Sequence, residues 1–276
     1  MRFLSFDTST EAIHLSLVEN GIAQNEMVVA EKDAQTRQEA VAALMPSVVS
    51  LLADVGWKKS DIDCVVIGQG PGSFTGVRTG VVTGRSMAQG LHVGLVPVNL
   101  FECYATICTL PSAIVLASGR GRYFVAGFDS YDEKSGSFEI SVEPTAISTA
   151  QLQETIGAYA TWCLDEKALT ELEAEREKLS AGSGSTAPTF KPLPILENIA
   201  TRQAQLVGNR ISLKLSETTA SNGGKQSDAA ESGSTEDSSL RESILQAYPY
   251  QPVAPLYLRN PSITLKKPAP SAEAKS

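Results

Sequence analysis

Histidine and cysteine are scarce in this chain, two of one and four of the other in 276 residues, and the cysteines form no C-x-x-C pair. A zinc site needs about four converging Cys, His or carboxylate ligands. His14, His92, Cys64, Cys103, Cys108 and Cys163 are scattered along the sequence, so no metal site is expected and the thiols read as buried, reduced side chains. Peptidase chemistry needs a nucleophile paired with a base, and it meets the same shortage of histidine. No apolar run approaches the roughly 20 residues of a membrane span. The opening MRFLSFDTSTEAIHL has one basic residue and reaches Asp7 before any long apolar core, which argues against a secretory leader and for a cytoplasmic protein. Positive charge is also in the minority, 23 Lys and Arg against 31 Asp and Glu, a net charge of −8, and it is not gathered into a stripe. Gripping nucleic acid rests on phosphate neutralisation, so the chain is not expected to hold RNA or DNA unaided.

What is present is a globular composition, 42% hydrophobic, over a length that suits two domains. Residues 2–7, 12–18 and 22–30 read as strands, with Asn20-Gly21 as the hairpin turn between the last two. QEAVAALMPSVVSLLADVG (38–56) carries Val41, Leu44, Met45, Val48, Leu51, Leu52 and Val55 at helical spacing, is closed by Gly56, and contains Pro46, which predicts a kink or a late start. A strand at 63–67, a helix over 75–90 and a strand at 93–98 follow. Three meandering strands and then alternating helix and strand give a mixed sheet covered by helices, a ribonuclease H-like lobe. A weaker second pass starts near 113: SAIVLAS, RYFVAGFD and FEISV as strands, a Ser135-Gly136 turn, and a helix over 149–160. Two such lobes in series make the α/β actin-like ATPase (ASKHA) architecture, with the second lobe degenerate. The expected division is 1–102 for the first lobe, 103–260 for the second, and a disordered tail over 261–276. Two stretches, 165–190 and 216–239, read as insertions in the second lobe. The latter has no apolar residue larger than alanine and cannot offset its ordering entropy.

Two motifs carry the functional question. DTST, Asp7, Thr8, Ser9 and Thr10, occupies the turn after the first strand. There an Asp and small hydroxyls suit a metal–phosphate site, and suit equally a turn closed by side-chain to backbone bonds. GQGPGSFTGVRTG (68–80) looks like a phosphate cradle but fails the patterns. Gly76 lies six positions after Gly70 and precedes Val77 rather than Lys, and the third glycine of G-x-G-x-x-G would fall at Ser73 or Thr75. What recurs is a spacing of four, through Gly72, Gly76, Gly80, Gly84 and Ala88, which aligns them on one helix face. Each interior glycine costs about 1 kcal/mol relative to alanine, so another backbone must approach closely there. That neighbour is either the same chain's sheet or 38–55 helix, or a helix of another protein.

The opening strand with DTST, the helix ending LLADVG, the stretch IGQGPGSFTGVRTGVVTGRSMAQGL and the C-terminal APLYLRNP (254–261) together resemble the TsaB (YeaZ) family of bacterial proteins. The match is most specific over 68–91 and patchy in the second lobe. The resemblance implies an actin-like fold and a non-catalytic partner of TsaD. In a complex with TsaE, that partner helps to form threonylcarbamoyladenosine next to the anticodon of tRNAs reading ANN codons. It implies no cofactor of the chain's own, ATP being left to an interface of the complex, and contact with tRNA only through the complex. It also implies a homodimer when the protein is alone, and no membrane association. The partner surface would comprise Gly72, Phe74, Thr75, Gly76, Arg78, Thr79, Gly80, Thr83, Gly84 and Met87, with Arg85 on a neighbouring face. The turn at Asp7 to Thr10 would be a vestigial nucleotide site. Two departures weaken a metal or nucleotide site further: no His stands near Ala40, and LASGRGRY replaces the family's Asp-Ala-Arg hairpin start. The rival reading, a small-molecule kinase or ATPase of the same fold, needs an adenosine loop, for which only Gly208-Asn209 offers itself.

Overall fold

Two five-stranded mixed sheets with the same strand order organise the chain. The computed structural model describes residues 1–30, 42–119, 121–175, 188–221, 234–256 and 258. In the first sheet β1 (Arg2–Asp7), β2 (Ala12–Glu19) and β3 (Ile22–Ala30) form the antiparallel meander, and β4 (Cys64–Gly68) and β5 (Gly94–Val98) add in parallel, giving β3-β2-β1-β4-β5. In the second, β6 (Ser112–Ala117), β7 (Arg122–Asp132) and β8 (Ser137–Ser148) meander, and β9 (Thr161–Leu164) and β10 (Thr189–Pro192) add in parallel beside β6. The expected repeat is therefore complete, strand for strand.

Alternation along the strands explains the layering. Leu4, Phe6, Ile13, Leu15, Leu17, Val65 and Ile67 face one side of the first sheet and are buried under α1 (Leu44–Val55) and α2 (Phe74–Leu91). Phe3, Val18, Cys64 and Val66 face the other side, into a central core shared with α3 (Leu100–Ala105), α6 (Ile199–Ser221) and one face of the second sheet. The outer face of the second sheet is covered by α4 (Leu152–Ile156) and α5 (Glu166–Glu173) around the fully buried Trp162. Pro46 falls in the first turn of α1, where its missing N–H costs nothing, and Gly56 closes that helix at φ +75°. Residues 38–41, and with them the stretch at Ala40 that lacks a histidine, lie outside the described residues.

Three expectations change. The helix expected over 149–160 is a 3-10 turn, Thr149–Gln151, followed by only the short α4. The stretch 165–190 is not simply an insertion: its start is α5, with Ala168 and Leu172 buried, and its end is β10, the fifth strand. Charged outward positions on a short helix hide two buried ones, which is why composition misread it. Residues 176–187 lie outside the described ones, as do 222–233 of the stretch 216–239 and residues 259–276, which include the whole tail. Finally, within the stretch 103–260, α6 packs on β1, β2 and β4, and α7 (Ser234–Ala247) packs on β4 and β5, so the chain returns to the first sheet. Asn198 starts α6, accepting from the Ala200 N–H at 2.9 Å while donating to the Leu15 carbonyl at 3.0 Å. Gly208-Asn209 lies within α6, not in a loop. Among the described residues no helix is long and apolar enough to cross a membrane.

Candidate functional site

The DTST turn and the Gly-rich loop meet at the cleft between the sheets. Asp7 ends β1 and is fully buried. Its Oδ1 accepts from the Ser9 N–H at 2.7 Å and the Ser9 hydroxyl at 2.6 Å, and its Oδ2 accepts from Gln203 Nε2 of α6 at 2.7 Å. A Cβ on Gly68 would lie 1.8 Å from that same Oδ2, so the end of β4 walls the carboxylate in and only glycine fits there. Thr8 donates to the Gly76 carbonyl at 2.7 Å, Thr10 to the Ala12 carbonyl at 2.9 Å, and the Ser9 carbonyl accepts from the Ser73 N–H at 2.7 Å. A Cβ on Gly72 would stand 2.1 Å from that Ser9 oxygen. These bonds close the turn and use the groups a phosphate or metal would need.

The motif at the C-terminus completes this assembly. Gln69 donates from Nε2 to the Ala254 carbonyl at 2.5 Å, and the Leu256 N–H donates to the Gln69 carbonyl at 3.2 Å. APLYLRNP thus begins against the Gly-rich loop, nearly two hundred residues away in sequence, a contact no local pattern signals.

The cleft itself has a volume of about 410 Å³ and is lined by the turn at Ser9 to Glu11, by Pro71 to Ser73, and by Leu100, Tyr104, Leu116, Ala117, Phe124 and Asp165. Its ionisable carboxyls are Glu11 and Asp165, and no Lys or Arg is among its described lining residues. Asp165 caps α5, accepting from the Ala168 N–H at 2.7 Å and the Ala117 N–H at 3.0 Å, and burial raises its pKa above the ordinary carboxylate value. Burial, reinforced by Asp165, pushes the Tyr104 phenol up to about 12. The described walls combine apolar side chains, the hydroxyl residues Ser9, Thr10, Ser73 and Tyr104, and the two carboxyls. Among the described residues no cluster of three metal-ligating side chains occurs.

The glycine stripe faces inward. Gly76, Gly80 and Gly84 are buried along α2, where a Cβ on Gly80 would come within 2.5 Å of Thr8 Oγ1 and one on Gly84 within 2.6 Å of Ile67 Cγ2. The close neighbours at Gly80 and Gly84 are therefore side chains of the chain's own DTST turn and of β4, not the second backbone that the spacing suggested, and the three buried glycines do not present themselves to another protein. Of the other residues assigned to the partner surface, Gly72, Thr75 and Arg78 are exposed, as is Arg85, and Phe74, Thr79, Thr83 and Met87 are half-buried. Also apolar and exposed, and not singled out by the sequence for a surface, are Val82 of α2 at 57%, and Val49 at 63% and Met45 at 46% on α1. Met45, placed by periodicity on the inner face, points outward. The missed signal is the i, i+4 pair Met45 and Val49, which continues an apolar stripe past the width a single buried face needs.

Residues 32–267 match the family model described as TsaD, tRNA N6-adenosine threonylcarbamoyltransferase. The tRNA threonylcarbamoyladenosine biosynthesis protein TsaB of Bacillus subtilis is 31% identical over 105 residues, 38% of this chain and 44% of that protein. TsaB of Escherichia coli is 31% identical over 126 residues, 46% of this chain and 49% of that protein. The solved structure of YeaZ from Pseudomonas aeruginosa superposes with a TM-score of 0.56 at 19% identity, covering 78% of this chain and 93% of that one. The chain belongs to the TsaB (YeaZ) family. Its alignment spans about half the length of the curated TsaB relatives, while the likeness to YeaZ extends the two-lobe actin-like fold over most of the chain.

Proposed function

We propose that the chain is an accessory subunit in the formation of threonylcarbamoyladenosine next to the tRNA anticodon, and that the transfer itself is made by a TsaD partner, with TsaE joining the assembly. The relatives that share its sequence carry the name of that biosynthesis. The observation that carries the partner role is the face made by α1 and α2. Both helices cover the same side of the first sheet, and they expose Met45, Val49 and Val82 to solvent with Arg78 and Arg85 nearby. Exposed apolar side chains on both helices, flanked on α2 by Arg78 and Arg85, suit a protein interface. The site residues of this proposal are therefore the outward ones, Phe74, Thr75, Arg78, Thr79, Val82, Thr83 and Met87, joined by Met45 and Val49. The chain brings no cofactor of its own, ATP binding at an interface of the complex. It reaches tRNA through TsaD, and without a partner it covers the same face by forming a homodimer.

The test is copurification with TsaD and TsaE, followed by an assay of tRNA modification, for the wild type and for Val49→Asp and Val82→Asp. Both side chains are exposed, so the variants keep the wild-type circular dichroism while losing TsaD and the modification. Retention of TsaD by a well-folded double variant removes this face from the interface.

A further inference from the structure

The last described residues lead toward the cleft between the sheets. The Leu256 N–H donates to the Gln69 carbonyl at 3.2 Å, and the Leu256 carbonyl oxygen is 3.8 Å from where a Cβ on Gly70 would stand. Gly70 precedes Pro71, where one wall of the cleft begins. Two residues on, Leu258 packs half-buried against the central core cluster, to which the cleft residues Leu100, Leu116 and Phe124 belong. Residues 259–276 follow, outside the described ones. In a chain of net charge −8 they hold four of the 23 cations, Arg259, Lys266, Lys267 and Lys275, against one acid, Glu273. Apart from alanine and proline, their only apolar residues are Ile263 and Leu265, next to the lysine pair.

We propose that residues 263–267 of the same chain occupy this cleft, with Ile263 and Leu265 against the wall of Leu100, Leu116 and Phe124 and the lysine pair at the carboxyls of Glu11 and Asp165. Charge favours this occupant: the described lining carries two carboxyls and no Lys or Arg, and the segment carries two adjacent cations and no acid. Shape favours it as well. Alternate residues of an extended segment share a side, so Ile263 and Leu265 turn toward one wall together. From Leu256 to Ile263 is seven residues, about 23 Å at full extension, ample for a cleft whose wall starts beside Leu256. Tethering supplies the rest. A short linker holds its segment at an effective concentration on the order of mM, so contacts too weak to retain a free peptide suffice. The chain is in this reading its own ligand at the cleft, on a face separate from α1 and the exposed side of α2.

The experiment treats the purified full chain with a water-soluble carbodiimide, which joins a carboxyl to an amine in direct contact, at several protein concentrations. Peptides of the monomer band are then mapped by mass spectrometry. The expected product is an amide between Glu11, whose side chain is exposed, and Lys266 or Lys267, at a yield independent of protein concentration. In Ile263→Asp/Leu265→Asp that yield falls about tenfold, through loss of the apolar contact. Asp54 and Glu139, exposed carboxyls that do not line the cleft, are the controls. Lysines 266 and 267 joined to the controls as often as to Glu11, or no product at Glu11, overturns the proposal. So does a product confined to cross-linked dimers, which assigns the cleft to a second copy. An undiminished yield in the double variant overturns the apolar contact.

Discussion

The Thr8 hydroxyl donates to the Gly76 carbonyl at 2.7 Å, and its Oγ1 stands 2.5 Å from where a Cβ on Gly80 would lie. One side chain of the DTST turn thus fixes the distance between β1 and α2 and makes glycine necessary one helical turn further on. The two motifs that suggest a nucleotide site are in this way two halves of one packing contact.

Gly80→Ala tests that contact. In an exposed helix alanine would stabilise by about 1 kcal/mol. Here its Cβ collides with Thr8, so a net loss of about 1–3 kcal/mol is expected from overpacking. Urea denaturation reads the sign directly, and a variant as stable as the wild type would place the stripe elsewhere than against its own sheet.

His14 gives the chain an acid-sensitive step. It is buried opposite Asp7 in the β1–β2 register, with Nδ1 unpaired among the described residues. Burial lowers its pKa below the ordinary 6.5, with the Asp7 charge opposing the shift. The unfolded chain therefore takes up a proton more readily than the folded one. Stability from this group is complete above pH 6.5 and declines as pH falls below it, with a slope of up to about 1.4 kcal/mol per pH unit. Denaturation midpoints measured from pH 7.5 down to 5.5 should fall for the wild type and change less for His14→Gln.

Arg210 of α6 spans three elements. It donates from Nη2 to Glu102 Oε1 of α3 at 2.8 Å and from Nε to the Gly136 carbonyl of the β7–β8 turn at 2.9 Å. Arg210→Ala leaves a partly buried carboxylate and a turn carbonyl without their donor. The expected cost is about 1–3 kcal/mol, measured as a lower thermal midpoint, and Arg210→Lys recovers only part of it because the fork geometry is lost.

Titration of the purified chain with Mg-ATP separates the accessory role from the kinase alternative. With Asp7 committed to Ser9 and Gln203, and with Glu11 and Asp165 but no Lys or Arg among the described lining residues of the cleft, no micromolar binding is expected. Saturable heat at micromolar ATP, with turnover, would restore the kinase reading.

Local sequence carried much of the first lobe. Apolar runs in β1, β2 and β4, buried on both faces, and the Asn20-Gly21 turn are properties of neighbouring residues, and they fix strand positions. The meander of the second lobe was legible on the same ground. The fourth and fifth strands were not, because β9 and β10 are only four residues each, and β10 is mostly exposed and takes its place by pairing with β9 and packing under α5.

By itself, then, the sequence determined the meander of each lobe and the crossovers of the first, the family, and the lack of side-chain bulk along Gly76, Gly80 and Gly84. Only the tertiary structure decided what packs there, and it is the side chains of Thr8 and Ile67 rather than another backbone. Spacing of four dictates which residues share a helix face but not what lies opposite it, and a glycine stripe reads the same against a sheet as against a partner helix. The placement of Thr8 over Gly76 and Ile67 over Gly84 turned the stripe inward and left Met45, Val49 and Val82 as the face still open to another protein.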